Sequence, residues 1–376
     1  MMGSKTPKME GGSALEMDGS RQEPKMTAGL DLGDKYSYLC LIDQHSGEVV
    51  EEGRLRTTPE AFRRRFASGQ PMRIAIEAGT HSPWASRVLE ECDHEVLVAN
   101  ARKLRLIYAN KQKTDEVDAE NLARLARVDP KLLYPLKHRS EDSQAHLAII
   151  RSRQALVGAR TQLVNHVRGA VKSFGGRLPK CPARSFHNKA SERIPEALMP
   201  ALGPILEQIG SLTQRIRDYE RELETISKAH YPETELLRQV EGIGGLTALT
   251  FVLTLEDPYR FERSRSVGAY LGLVPARDQS GDTDPQKHIS KEGDEMLRKL
   301  LVGSAHYILG PFGSDSDLRR HGEKMTSRGG KNAKKRAVVA VARKLSVLLH
   351  RLWITGKVYD PLYNTHRRQE QEEEAA

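Results

Sequence analysis

The chain has 376 residues, a formal net charge of +9 and 29% charged residues. This length predicts two domains, or three with a linker. The basic excess favours a polyanionic partner such as nucleic acid, although a protein with a merely basic surface also fits. The three cysteines are far apart and form no CxxC pair, which argues against a disulfide framework or a structural zinc site. Because the chain contains neither a long apolar run nor a signal-peptide core, we expect a cytoplasmic protein without a membrane span.

The first third of the chain predicts an α/β domain at 26–138, after a disordered extension at 1–25. Apolar residues alternate from Thr27 to Asp43 around a Gly33-Asp34 turn, which is typical of a β-hairpin. Three strands followed by alternating strands and helices favour a mixed sheet of ribonuclease-H-like layout. The further elements are predicted as a strand at Glu48–Arg54, a helix at Pro59–Phe66, a strand at Met72–Glu77, a helix at Pro83–Glu91, a strand at Glu95–Ala99, and helices from Ala101 and at Asp115–Val128.

The middle of the chain, 139–233, predicts an antiparallel coiled-coil arm. One polar helical stretch runs from Ser140 to Phe174 and a second from Ile205 to His230. In the second stretch apolar residues recur three and four positions apart, as they do on the packed face of a coiled-coil helix. The intervening segment, Gly175 to Arg193, is rich in proline and basic residues and is predicted to be a loop.

Residues 234–364 predict a second, mainly helical domain, so the expected fold class is α/β plus all-α. Apolar helical sequence extends from Leu236 to Leu352, interrupted by a turn at Pro258–Arg260 and by a loop from Pro275 to His288. The last residues, 365–376, are highly charged and are predicted to form a disordered tail.

An ordered set of four carboxylates is the clearest chemical feature of the sequence. Asp31 lies on the first strand and Glu77 ends a strand expected to lie beside it, while Asp115 and Asp118 share one face of a helix. Carboxylates that converge repel one another unless cations neutralise them, and Mg²⁺ prefers such oxygen ligands. Two ions can promote phosphodiester chemistry. Taken singly, Asp31 also fits a turn residue, and the helical pair fits capping and dipole roles.

The segments GLDLG, AIEAGT and KTDEVDAENLARL resemble the RuvC-like domain of DEDD-type insertion-sequence transposases. The resemblance extends over nearly the whole chain between Met26 and Asn364. It implies a transposase that cuts and rejoins DNA with Mg²⁺ held by Asp31, Glu77, Asp115 and Asp118. It also implies a guide, or bridge, RNA that pairs with donor and target DNA.

The helical domain contains two further segments that the resemblance makes relevant. EGIGGLTALTFVLTL looks like a helix-hairpin-helix turn, in which Gly242 and Gly244 expose backbone N–H groups to a phosphate, although an ordinary glycine turn fits the same residues. GLVPARDQSG is similar to the family's second catalytic region, which implies that Ser280 is the nucleophile. The family has small or basic residues where this chain has Asp282 and Asp284. Ser290 is a second possibility, but it reads better as an N-cap. The cations that could stabilise charge at the phosphate are Arg277, Lys287, His288 and Lys291.

A basic cluster opens the last long helix. Its residues could bind the phosphate backbone of a nucleic acid, or they could form a solvated helix face. Arg343 and Lys344 continue the stripe along the helix. The cluster consists of Lys331, Lys334, Lys335 and Arg336.

Three other functions remain open at this point. A structure-selective nuclease of the Holliday-junction resolvase type would use the same carboxylates with water as nucleophile. An actin-like sugar kinase or ATPase could also begin with GLDLG, although such chains carry further glycine-rich phosphate motifs. A non-enzymatic binding protein would use the glycine turn and the basic helix alone. If the transposase reading holds, the long arm predicts a homo-oligomer, dimer or tetramer, with active sites shared between protomers.

Overall fold

The computed structural model describes residues 24–104, 114–281, 283, 285 and 287–374. The chain divides between Arg139 and Ser140 into two compact units, an N-terminal unit and a C-terminal unit. The extension predicted to be disordered lies outside the described residues except for Pro24 and Lys25.

The N-terminal unit is built on a five-stranded mixed sheet with the order β3-β2-β1-β4-β5. The first three strands form an antiparallel meander, and β4 and β5 run parallel to β1. This arrangement confirms the predicted mixed α/β architecture and is consistent with a ribonuclease-H-like domain. The strands are β1 (Met26–Leu32), β2 (Tyr36–Asp43), β3 (Val49–Arg56), β4 (Arg73–Glu77) and β5 (Glu95–Ala99).

Helices cover both faces of this sheet. On one face, Leu30, Ile74 and Ile76 pack with Phe62 of α1 (Pro59–Phe66) and Leu89 of α2 (Ser82–Glu91). The opposite face packs against α4, and a short helix, α3, follows β5. On the face that α4 covers, the strands contribute the small side chains of Ala75 and Cys40, which allow a helix to approach closely. The two helices are α3 (Ala101–Leu104) and α4 (Asp115–Val128).

Two long antiparallel helices begin the C-terminal unit. Side-chain contacts join α5 (Glu141–Ser173) to α7 (Met199–His230), and residues later in α5 contact residues earlier in α7. Arg153 contacts Glu220, and Arg160 donates to Thr213 over 3.2 Å. The loop predicted between them is wrong in part, because it contains α6 (Phe186–Ser191). Phe186 is buried against the arm helices, a tertiary contact that local composition does not reveal.

The helices between residues 233 and 355 share one apolar core, in which α9, α11 and α13 contribute most of the buried side chains. The tail predicted to be disordered instead continues as a helix, α14. No helix among the described residues is long and apolar enough to cross a membrane. The helices are α8 (Glu233–Arg238), α9 (Gly245–Leu255), α10 (Arg265–Tyr270), α11 (Glu295–Ile308), α12 (Asp317–Ser327), α13 (Ala333–Thr355) and α14 (Tyr363–Glu374).

Candidate functional site

Strand register places the first two carboxylates side by side. β1 and β4 pair in parallel with Leu30 opposite Ile76, so the next position sets Asp31 beside Glu77. Neighbouring residues of paired strands point to the same face of a sheet. Because Leu30 and Ile76 are buried under α1 and α2, Asp31 and Glu77 lie on the opposite face, which α4 covers.

Helix α4 brings the other two carboxylates to the same end of that face. A Cβ built on Gly29 would lie 2.0 Å from the carbonyl oxygen of Ala119, so the helix crosses β1 in direct contact with its backbone. Further along α4, Arg127 donates to the carbonyl of Gln44, which follows the far end of β2. The helix therefore runs antiparallel to β1, and its first turn lies at the carboxyl ends of β1 and β4.

The first turn of α4 contains Asp115 and Asp118, and the hydroxyl of Thr114 caps it by accepting from the Val117 N–H over 3.4 Å. The strands and α4 therefore carry the four carboxylates towards one corner of the sheet, and carboxylate oxygens are ligands that Mg²⁺ prefers. Among the described residues, however, no group of three or more Asp, Glu, His or Cys side chains is arranged to hold a metal ion.

A histidine that the sequence analysis did not single out lies near this corner. His81 follows β4, and its Nδ1 accepts a hydrogen bond from the Trp84 indole over 3.1 Å. Its Nε2 lies 3.8 Å from Asp34 in the turn after β1. The only sequence signal was its position four residues after Glu77.

Ser280 lies at the tip of an exposed two-stranded loop in the C-terminal unit, which we call the serine hairpin (residues 274–290). Ser280 and Thr283 exchange backbone hydrogen bonds of 3.1 and 3.0 Å across the tip. Gly281 adopts a left-handed φ of +54°, as tight hairpin turns require. Asp282 and Asp284, the acids that depart from the family pattern, lie outside the described residues.

The cations proposed to assist Ser280 differ in their surroundings. Arg277, His288 and Lys291 are exposed. Lys287 forms an ion pair with Asp278 across the serine hairpin, and this contact holds the pKa of Asp278 below its usual value. Lys287 therefore helps to join the two strands of the hairpin.

The base of the serine hairpin is held by a crossing of two chain segments. A Cβ on Gly272 would lie 2.3 Å from the backbone of Glu292, and one on Gly293 would lie 2.2 Å from the carbonyl of Tyr270. Arg298, which the sequence analysis missed, donates to the carbonyls of Leu271, Glu292 and Gly293.

The interpretation of Ser290 as an N-cap is wrong. The helix that follows, α11, begins five residues later, and Asp294 caps it by accepting from the Leu297 N–H over 2.8 Å. Ser290 lies in the base of the serine hairpin, where its N–H donates to the carbonyl of Val274. The acid nearer the helix is the cap because its side chain reaches the free N–H groups.

The glycine turn between α8 and α9 has two distinct parts. Gly242 has a φ of +85°, and a Cβ there would lie 3.1 Å from the Tyr307 ring, so this glycine allows the turn to pack on α11. Gly244 is exposed and open, but Gly245 next to it lies beside the Glu224 carboxylate. Of these three glycines, Gly244 has the most open surroundings.

The basic cluster at the start of α13 is exposed at all four positions, Lys331, Lys334, Lys335 and Arg336. No acidic side chain in the described part of the chain forms an ion pair with them. On the neighbouring α12, His321 lies among Lys324, Arg328 and Lys344; burial and these cations lower its pKa. The surface is thus positive over more than the four predicted residues.

Comparison with known proteins relates both units to one group of mobile-element proteins. Residues 28–175 match a family model for transposases of the IS110 DEDD type, and residues 234–311 match the model described as Transposase IS116/IS110/IS902 family. The chain is 30% identical over 262 residues to the transposase for insertion sequence element IS1111A of Coxiella burnetii, covering 67% of this chain and 70% of the relative. The chain belongs to the IS110/IS116 family of insertion-sequence transposases.

A second IS110/IS116-family relative supports the same assignment. The transposase for insertion sequence element IS1328 of Yersinia enterocolitica is 28% identical over 287 residues, covering 75% of this chain and 83% of the relative. The matched regions include all four carboxylates, the glycine turn and the serine hairpin. Membership in this transposase family argues against the sugar kinase and the non-enzymatic binding protein.

Proposed function

We propose that this chain is a DNA transposase that cuts and rejoins strands, with Mg²⁺ held by Asp31, Glu77, Asp115 and Asp118 and with Ser280 as the nucleophile. The proposal is supported by the register that pairs Leu30 with Ile76, since the next residues, Asp31 and Glu77, are then expected side by side near the first turn of α4. Family membership makes DNA the substrate.

The carboxylates and the serine have separate tasks in this reaction. Asp31, Glu77, Asp115 and Asp118 would hold Mg²⁺, whose positive charge would polarise the scissile phosphate and stabilise the leaving oxygen. The Ser280 oxygen forms a bond to phosphorus while one ester bond of the DNA breaks, and the hydroxyl proton passes through water to the leaving oxygen. The product is a phosphoserine link that keeps the energy of the broken bond. The reverse reaction with a new strand end rejoins DNA without ATP.

Basic residues of the C-terminal unit would hold the DNA. Arg277 and Lys291 are exposed and would stabilise charge at the phosphate, together with Lys287 and His288. Lys331, Lys334, Lys335 and Arg336 would contact the backbone, and Gly244 would present its N–H group, with Gly242 shaping the turn.

The decisive experiment uses a plasmid that carries the insertion element, with joining of its ends measured in cells. We expect Asp31→Asn and Ser280→Ala each to reduce joining by at least about a thousandfold. Asp93→Asn is the matched control, because Asp93 is exposed at the opposite end of the sheet and its φ of 64° suits asparagine. Ser290→Ala tests the second serine.

The covalent intermediate provides a direct readout. Nuclease digestion of trapped complexes followed by mass spectrometry should find a nucleotide on Ser280. Strand cutting that persists in both Ser280→Ala and Ser290→Ala would instead assign the reaction to water, as in a resolvase-type nuclease, whereas joining retained in Asp31→Asn would remove the carboxylate site from the mechanism.

A guide RNA and a shared active site complete the proposal, and both rest on the family resemblance. Mixing the inactive Asp31→Asn and Ser280→Ala proteins should restore part of the activity if one protomer supplies the carboxylates and another the serine. Sequencing of RNA that co-purifies with the protein should yield one discrete structured species. Co-purification of random RNA would contradict the guide RNA. A mixture of the two proteins that stays inactive would contradict the shared active site.

A further inference from the structure

A row of side chains extends from the carboxylates to the edge of the sheet. Asp31 pairs with Tyr38 of β2, and Tyr38 pairs with Arg54 of β3. Residues opposite one another on neighbouring strands share a face, so Tyr38 and Arg54 lie on the α4 face together with Asp31 and Glu77. The packing of Tyr38 against Ala119 and Ala123 of α4 agrees with this placement.

The outer end of this row combines an aromatic ring with a guanidinium. Arg54 lies over the ring of Tyr36, with 5.0 Å between the guanidinium carbon and the ring centroid. The Tyr36 side chain is 40% exposed, and Arg54 is exposed.

A small cleft opens next to the pair. Its lining includes Tyr38, Glu52 and Arg54 from the sheet and Glu116 from the first turn of α4. Its volume is about 240 Å³, below the roughly 300–1,000 Å³ of pockets that hold drug-sized ligands. Glu52 and Glu116 would repel a phosphate, whereas they can accept hydrogen bonds from the N–H groups of a base. The cleft therefore suits one planar base better than a phosphate.

We propose that Tyr36, Tyr38 and Arg54 hold an unpaired base of the DNA strand that carries the scissile phosphate. Two strand spacings separate Asp31 from Arg54, roughly 10 Å, which is about three nucleotides of a stacked strand. The choice of DNA as occupant rests on the proposed function of the carboxylates. Aromatic rings and arginine planes are common platforms for unpaired bases.

Photocrosslinking tests the contact directly. The full-length protein carrying Asp31→Asn is irradiated with single-stranded DNA containing 5-iododeoxyuridine, without divalent metal, and the attached residues are identified by mass spectrometry. We expect crosslinks to Tyr36 or Tyr38. We also expect Tyr36→Ala to reduce crosslinking at this cleft about tenfold and Tyr36→Phe to retain it, because the ring rather than the hydroxyl stacks.

Two comparisons give the experiment its controls. Arg54→Ala should reduce crosslinking, whereas Arg64→Ala, an equal loss of charge on exposed α1, should not. Crosslinking of an iodouridine RNA but not of the DNA, or equal DNA crosslinking in Tyr36→Ala, would overturn the proposal. Because the assay uses Asp31→Asn without metal, its result does not depend on whether the carboxylates catalyse strand cutting.

Discussion

The carboxylate corner and the serine hairpin differ in what holds them in place. Asp31 and Glu77 are fixed by the register of two buried strands, and α4 is pressed against β1 at Gly29. Ser280 lies on an exposed two-stranded loop whose tip depends on a pair of backbone hydrogen bonds. The protein core therefore positions the carboxylate corner, whereas the position of Ser280 depends on the base of the serine hairpin and on the bound DNA.

This difference suggests a division of labour in the proposed reaction. A phosphate that meets two metal ions needs ligands placed accurately before binding, since small displacements reduce catalysis strongly. A nucleophile that forms and breaks a covalent bond to DNA must move with the strand that it carries. Loops on a rigid scaffold provide such movement.

The largest expected effect comes from disturbing the contact between β1 and α4. In Gly29→Ala, the new methyl group would lie 2.0 Å from the Ala119 carbonyl oxygen, so α4 must move away. Since α4 carries Asp115 and Asp118, joining activity should be lost, and the N-terminal unit should be destabilised by about 3 kcal/mol. Urea unfolding measures the stability.

The unfolding of the two units can be separated by tryptophan fluorescence. The chain has two tryptophans, one in each unit, so Trp353→Phe leaves Trp84 as the reporter of the N-terminal unit. The matched control is Gly53→Ala, because a Cβ on this strand glycine meets nothing within 4 Å. Equal stability of the two variants would show that α4 does not depend on Gly29.

A smaller effect is expected at the base of the serine hairpin. Arg298→Ala removes the bonds to the carbonyls of Leu271, Glu292 and Gly293. We expect joining to fall about tenfold, with a loss of roughly 1–2 kcal/mol in stability, because the base loosens while the tip stays intact. Hydrogen exchange should accelerate across 272–293.

The neighbouring Lys299 provides the control for this variant. It is exposed and pairs only with Glu295 on its own helix among the described residues, so Lys299→Ala should leave both exchange and joining unchanged. Unchanged exchange in Arg298→Ala would mean that the crossing of Gly272 and Gly293 holds the hairpin base without the guanidinium.

The sequence predicted the sheet and its helices well because their signals are local. Alternating apolar residues and the caps at Thr58 and Thr114 define where strands and helices begin. The short helix α6 was missed because Phe186 is helical only where the arm helices bury it. The cap of α11 was misassigned because Ser290 and Asp294 are equally good caps in sequence, and only the backbone path decides between them.

The candidate site was predictable as a set of residue types but not as an arrangement. The order of Asp31, Glu77 and the pair on α4 is visible in the sequence, whereas the pairing of Asp31 with Tyr38 depends on strand register. The requirement for Gly29 arises from a helix that approaches from 90 residues later in the chain, at Ala119. Neither contact has a local signature.

The smallest expected effect is a pH dependence in the stability of the N-terminal unit. His94 is buried, its Nδ1 accepts from the Met72 N–H over 3.2 Å, and its Nε2 lies 3.1 Å from the Phe66 carbonyl. This arrangement requires the neutral ring, and burial lowers the pKa of His94 below its usual value of about 6.5. Below that pH the unfolded chain binds a proton that the folded chain does not.

Stability from His94 is therefore complete above about pH 6.5 and is lost as the pH falls towards the lower folded-state pKa. In the Trp353→Phe background, we expect the free energy of urea unfolding reported by Trp84 to fall between pH 7.5 and 5.5 by an amount on the order of 1 kcal/mol. His94→Gln should reduce this fall, and His45→Gln, at an exposed position, should not. His138, whose pKa burial also lowers, keeps some dependence in the variant. If the free energy of unfolding falls equally in His94→Gln, other groups cause the acid sensitivity. The sheet beneath the carboxylates would then not depend on a neutral imidazole.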